Sequence, residues 1–272
     1  MNVHSPVAAD EAILLRDDRD GVAELTLNRP QARNALSEAL LDALNAELDR
    51  VAADRTIRAV IVTGAPTIFS AGHDLKEMRA HWGDADRGRA YYADVLSRCS
   101  AMMQRIVALP QPVIAAVEGV ATAAGAQLVA SCDLAVAGAN ARFATPGVHI
   151  GLFCSTPMVA LSRSVGPKHA MEMLLLGDMI GAEDAHRFGL INRVVAAGGA
   201  LAEARRLAAV IASKSPLTVK IGKRAFYEQI EMPLADAYAH ATRVMVDNML
   251  ARDAEEGIGA FVDKRDPAWE GR

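Results

Sequence analysis

The chain has 272 residues, 51% of them hydrophobic and 23% charged, with a net charge of −4, long enough to bury one large core. That charge comes without a dense basic cluster, which argues against a nucleic-acid footprint and a polybasic membrane patch, and 4% aromatic content leaves little for base stacking. Three well-separated cysteines, Cys99, Cys132 and Cys154, with no C-x-x-C spacing, argue against a disulfide framework and a zinc site.

At the start, MNVHSPVAADEA lacks the basic n-region and apolar h-region of a secretory leader. AILLRDDRDGVAELTLNRP reads as two extended runs around Asp20-Gly21, a strong hairpin signal. After Ser37, a plausible helix cap, Leu40, Leu41, Leu44, Leu48 and Val51 make a helical stripe. RAVIVTG is a short apolar run ending in glycine, the pattern of a buried strand. FSAGHDLKEM then passes from small residues into a helix, and an amphipathic helix carries Val95, Cys99, Met102, Met103 and Ile106. The order recurs, with a strand at PVIAAV, a loop into a helix at GVATAAGAQLVAS, a strand at DLAVAG, and an extended segment and loop at ARFATPGVHIGLF. From about residue 197 the pattern is helical, through Leu207, Val210 and Ile211, then Leu217, Val219, Ile221 and Phe226. Alternating strands and helices predict an α/β core over 12–196 and a helical region over 197–272, with no linker between them. No apolar run approaches the ~20 residues needed to span a bilayer, and a cytoplasmic compartment is expected.

Two segments are parallel in design. IVTGAPTIFSAGHDL and VEGVATAAGAQL each run from an apolar strand through small residues into a helix. Such turns leave main-chain N–H groups unpaired at a helix N-terminus, where the dipole favours negative charge. Two of them facing one carbonyl oxygen would form an oxyanion hole, each donor contributing roughly 3–4 kcal/mol. Small residues before a helix also serve packing, so spacing by itself leaves both readings open.

LNRPQARNAL, IVTGAPTIFSAGHDLKEM, VIAAVEGVATAAGAQLVASCDLAVA and EEGIGAFVDKRDPAW together resemble the crotonase family, the enoyl-CoA hydratase/isomerase superfamily, over roughly residues 12–270. ATPGVHIGLFCSTP and the ending most resemble its subgroup called enoyl-CoA hydratase domain-containing protein 3. The resemblance implies a spiral of ββα units with a C-terminal helical region that drives trimerisation, often as a dimer of trimers. It implies an enzyme, a lyase or isomerase of fatty-acid or related acyl-CoA metabolism, acting on acyl-CoA or enoyl-CoA thioesters. Coenzyme A is then part of the substrate, and no separate cofactor or metal is expected. Carried over residue by residue, the oxyanion donors are the N–H groups of His73 and Ala124, the latter where the family usually has glycine. Gln31, Ala32 and Arg33 fall where the family contacts the CoA adenine and phosphates. Ala71 and Leu75 match the adenine and pantetheine path, and Phe261 and Lys264 the pair that closes over CoA, often from a neighbouring subunit.

A hydratase of this family uses two glutamates, groups that can change protonation state near neutral pH when tuned. Their positions here are Gln127 and Gly147, and the aspartate of other branches falls on Ser155. Losing both acid/base groups lowers the rate by about 10⁴–10⁸ if the effects multiply. Thr145, His149, Cys154, Ser155, Thr156 and Gln127 remain near the expected pocket. Gln127 reads either as a substrate or water contact or as a structural amide. Cys154 reads as a buried inert thiol, His149 as a structural histidine and Asp74 as a helix cap or salt-bridge partner. His73 is expected to serve through its N–H, with its imidazole a further acid/base candidate. Two functions compete, an atypical acyl-CoA enzyme and a non-catalytic acyl-CoA binder or scaffold. RNA binding is disfavoured by the net charge and the lack of a basic helix.

Overall fold

The computed structural model describes residues 12–272, so all but the last residue of MNVHSPVAADEA lies outside the described residues. Strands β1 (Leu14–Arg19) and β2 (Val22–Leu27) form the expected hairpin. Asp20 and Gly21, at φ 51° and 77°, supply the two left-handed residues of its turn. The chain continues through α1 (Glu38–Ala53), β3 (Ala59–Gly64), α2 (Leu75–Ala80), α3 (Arg89–Ala108) and β4 (Val113–Val117). Next come β5 (Val120–Thr122), α4 (Ala124–Ser131), β6 (Leu134–Gly138) and β7 (Arg142–Ala144). Helices α5 (Ser155–Ser164) and α6 (Pro167–Leu176), β8 (Ile180–Gly181), α7 (Ala182–Phe188) and β9 (Arg193–Val195) follow. The chain closes with α8 (Ala200–Ala212), α9 (Pro216–Gln229), α10 (Leu234–Met249) and α11 (Arg252–Asp263).

The larger sheet runs β1-β2-β3-β4-β6-β9 and is parallel from β2 onward. Parallel strands covered on both faces read as continuous apolar runs, which is why RAVIVTG shows no alternation. On one face the α1 stripe and the α3 residues Met102 and Ile106 pack with Leu25, Val60 and Val62. On the other, Ala200, Ala204 and Ala208 of α8 sit against Ala59, Ile61, Ile114, Ala116 and Val136. Alanine at every fourth position gives α8 a flat stripe that can approach the sheet closely. The mixed α/β architecture with C-terminal helices is the one expected.

A second, three-stranded sheet, β5-β7-β8, goes beyond the sequence reading, which expects an extended segment at β7, a loop at β5 and nothing at β8. Its strands have three, three and two residues, too few to show a period of two. It positions the site, because β5 grips the first small-residue loop: Ser70 N–H donates to the Val120 carbonyl (3.1 Å) and Thr122 N–H to the Ser70 carbonyl (2.9 Å).

Helix α9 is tied to the core by a part-buried ion pair. Lys223 Nζ donates to Asp133 (2.7 Å) and to the carbonyls of Ile106 and Gln111, and the Tyr227 hydroxyl donates to the other Asp133 oxygen.

Candidate active site

The loop before α2 is held by a residue that the sequence reading passed over. Asn34, fully buried and at φ 49°, donates from Nδ2 to the carbonyls of Ala65 (2.9 Å) and Ile68 (2.6 Å) and accepts the Arg29 N–H at Oδ1. Ser70 Oγ donates to the Asn34 carbonyl (2.9 Å). Asparagine tolerates left-handed backbone and also carries two donors and an acceptor, so its place in LNRPQARNAL was the available signal.

His73 forms a single parallel bridge with Leu36 in which its neighbours make the bonds: Leu36 N–H donates to the Gly72 carbonyl (2.8 Å) and Asp74 N–H to the Leu36 carbonyl (3.3 Å). Parallel pairing alternates the direction of main-chain groups, so the His73 N–H faces away from Leu36. Among the described residues it has no hydrogen-bond partner, and neither does the N–H of Ala124 at the first position of α4.

The two free donors are brought together by Gly72. A Cβ placed on it would lie 2.9 Å from Ala123 Cβ, 3.0 Å from the Thr122 oxygen and 3.1 Å from Ala124 N, and its φ of 88° disfavours any side chain. Ala124 keeps a negative φ, the condition for aiming its N–H as a helical residue does. The strain falls one position earlier, on Ala123 (φ 50°, ψ −119°), whose own N–H is held by the Ala144 carbonyl of β7 (2.9 Å). Such angles are a glycine conformation.

The remaining candidates separate. Asp74 is both cap and ion pair, accepting the Lys76 N–H (3.1 Å) and facing Arg29 (3.2 Å). Thr145 Oγ1 donates to the Met173 carbonyl, and His149 Nε2 bonds the Leu176 carbonyl (2.8 Å) at the end of α6, so both are structural. Burial pushes the Cys154 thiol up, with the Gly147 main chain opposing, and Ser155 Oγ lies out at the surface beside the Phe153 carbonyl. A Cβ on Gly147 would meet the Leu152 oxygen at 2.6 Å and Cys154 Sγ at 2.9 Å. Gln127 is buried with Oε1 unpartnered. Together with Thr156 it lines a cavity of about 1060 Å³ between α3, α4, α5 and α9, of which neither His73 nor Ala124 is a wall.

Arg33 reaches the loop through its main chain, its carbonyl accepting the Ala71 N–H (3.1 Å). Gln31, Arg33 and Leu75 are exposed and Ala32 partly so. Phe261 and Lys264 stand at the end of α11, whose packing neighbours are α9 and α10, and Phe261 is 85% exposed. Within one chain these two are not part of the loop cluster.

The His73 ring is the unusual feature. Both nitrogens are shielded from solvent and neither has a hydrogen-bond partner among the described residues. Burial holds its pKa below the ordinary histidine value; the nearby Leu36 carbonyl opposes this without reaching hydrogen-bond geometry to either nitrogen.

A model of the enoyl-CoA hydratase/isomerase family matches residues 17–272. Enoyl-CoA hydratase domain-containing protein 3, mitochondrial, from Rattus norvegicus is 46% identical over 251 residues, which cover 92% of this chain and 82% of the relative. The crystal structure of the human protein of that name superposes with a TM-score of 0.90 at 44% identity, covering 95% of this chain and 100% of that one. An enoyl-CoA hydratase from Mycobacterium smegmatis gives a TM-score of 0.90 at 51% identity, covering 95% and 99%. The resemblance carried by the sequence motifs agrees with these matches, subgroup included. The expected cytoplasmic compartment does not stand, because the rat, mouse, Xenopus laevis and human relatives are all named mitochondrial. That expectation rested on the separated cysteines, the lack of a leader pattern in MNVHSPVAADEA and the lack of a spanning apolar run, and a folded core carries no physical mark of its compartment.

Proposed function

The chain belongs to the enoyl-CoA hydratase/isomerase family, and on that premise we propose that it is an acyl-CoA thioester enzyme with an oxyanion hole but without a hydratase's pair of glutamates. What carries this reading is the approach of two unpaired N–H groups, those of His73 and Ala124, across Gly72. A thioester carbonyl oxygen set between them gains charge as an enolate forms, and each preorganised donor is worth roughly 3–4 kcal/mol to that state. The α4 dipole adds to the same end.

Water addition also needs a base at the β-carbon and an acid for the α-carbon. The Gln127 amide can hold a water or a substrate group but cannot exchange a proton, and Gly147 is filled by its own loop. Gln31, Ala32, Arg33, Ala71 and Leu75 form the CoA-facing side in this reading, with Phe261 and Lys264 supplied by a neighbouring subunit of a trimer or a dimer of trimers. The crowded Gly147 also favours a second reading, a binder of acyl-CoA esters that keeps the fold without the chemistry.

Calorimetric titration with CoA, saturated acyl-CoA and 2-enoyl-CoA, followed by mass spectrometry of the enoyl esters, separates the two. The expected result is thioester binding with hydration on the order of 10⁴–10⁸ below that of a glutamate-bearing enzyme. Binding without any product would favour the scaffold, and a chain that binds no thioester would end both readings.

A further inference from the structure

An oxyanion hole stabilises an enolate, but something must still take and return the proton. Gln127, Gly147 and Ser155 offer no group that titrates usefully, Cys154 is raised by burial, and Asp74 is committed to Arg29 and its helix cap. Beside the first donor stands one ionisable side chain with nothing to do, the imidazole of His73, both of whose nitrogens are buried and unpaired among the described residues. Leaving a buried polar group unsatisfied costs about 1–3 kcal/mol, so a ring in this state is completed by whatever binds there. One turn into α4, Gln127 Oε1 is likewise buried and unpaired, on the wall of a cavity that neither donor lines. Of these two groups, only the imidazole can carry a proton.

We propose that the His73 ring is the proton carrier of this site, taking the α-proton of a bound acyl-CoA thioester while the N–H of the same residue holds the carbonyl oxygen. The inference rests on the acyl-CoA reading above. The α-carbon is bonded directly to the carbonyl carbon, so the proton to be moved lies one bond from the group that the His73 N–H holds, and the ring meets it by turning off the Leu36 carbonyl against which it lies. The C–H bond breaks and its proton goes to the free ring nitrogen. The C–H pair forms the enolate double bond, and the carbonyl π pair moves onto oxygen between the two N–H donors. The imidazolium then returns a proton to the α-carbon. No co-reactant is needed. Burial that lowers the ring's pKa keeps it neutral near pH 7, so its lone pair is available.

The full chain is incubated with acetyl-CoA, butyryl-CoA and octanoyl-CoA in D₂O, and the mass of each thioester is followed while calorimetry reports binding. The wild type is expected to introduce deuterium at the α-carbon. His73→Gln keeps the N–H and a polar side chain, and should bind with nearly unchanged Kd while exchanging about 10²–10⁴-fold more slowly. His73→Ala should regain exchange when free imidazole is added, which a structural role would not produce. Thioester binding by the wild type without exchange, or exchange by His73→Gln at the wild-type rate, overturns the inference and leaves the acyl-CoA reading standing. Absence of thioester binding overturns that reading instead, and the inference with it.

Discussion

At Gly147 the loop running on to Cys154 closes against the main chain, whereas at Gln127 the side chain opens onto a cavity. The two positions that would carry a hydratase's carboxylates therefore differ in what they can accept. Gln127→Glu changes neither length nor shape, but it puts a carboxyl with no donor at a buried position, where the neutral acid is favoured, so its stability should fall as pH rises above the usual carboxylate range. Gly147→Glu must displace the Leu152 carbonyl, and such overpacking costs about 1–3 kcal/mol. Thermal melts of both single variants and the double variant, with hydration of a 2-enoyl-CoA measured alongside, test this. The double variant should hydrate no faster than Gln127→Glu; a stable Gly147→Glu protein with a gain in hydration would show that the loop yields and that the site can revert to two carboxylates.

The C-terminal elements are fastened by two carboxylates on α11. The Asp253 carboxylate accepts the Ser215 hydroxyl and the N–H groups of Glu270 and Gly271, and Glu256 faces Arg265 and accepts the Ala268 N–H. Burial works to raise the Asp253 pKa, but these donors outweigh it and hold it below the usual carboxylate value. Arg265, with the Ala268 N–H second, brings Glu256 down to about 2. Both folded values lie below the unfolded ones, so the stabilisation is present above about pH 4 and fades as pH falls toward 2. Trp269 lies in this tail, its Nε1–H donating to the Ser213 carbonyl. In a Trp82→Phe background its fluorescence should report release between about pH 4 and pH 2, and Glu256→Gln should move that release to higher pH. An unchanged midpoint in Glu256→Gln would remove Glu256 from the clasp. Such ties leave no periodic trace in the sequence. The α1 stripe, the two-faced burial of β3 and the small-residue loops before α2 and α4 could all be read from the chain, because each is a local pattern. The β5-β7-β8 sheet could not, its strands being too short to display a period of two, nor could the Asn34 buttress or the Lys223–Asp133 pair. At the site, loop composition leaves an oxyanion hole open against packing and the family resemblance singles out His73 and Ala124, whereas the unpaired state of the His73 ring depends on packing around it and appears only in three dimensions.

Helices α9 and α10 contain no fully buried side chain, although both are amphipathic. Leu234 is 75% exposed, Met245 63% and Leu250 82%, and on α11 Phe261 and Val262 are open as well. Scattered exposed apolar residues are ordinary, but large exposed apolar side chains on two successive, packed helices are of the kind that protein partners cover. A second apolar set lies on α6 and just beyond it, at Met171, Leu175, Leu176 and Met179. Two such faces on one chain suit a closed ring, in which each subunit offers one patch to the next. Such a ring is compatible with the trimer or dimer of trimers proposed from the family resemblance, and sedimentation velocity of the wild type should show no substantial monomer. Leu250→Asp places an unpaired charge where a covered apolar residue is expected and should drive the assembly toward monomer. Because Phe261 and Lys264 are remote from their own chain's loop cluster, the same variant should lose affinity for CoA esters even though every loop residue is intact. A monomeric Leu250→Asp protein that binds CoA esters as tightly as the wild type would mean that the site is complete within one chain, and that the α11 pair takes no part in it.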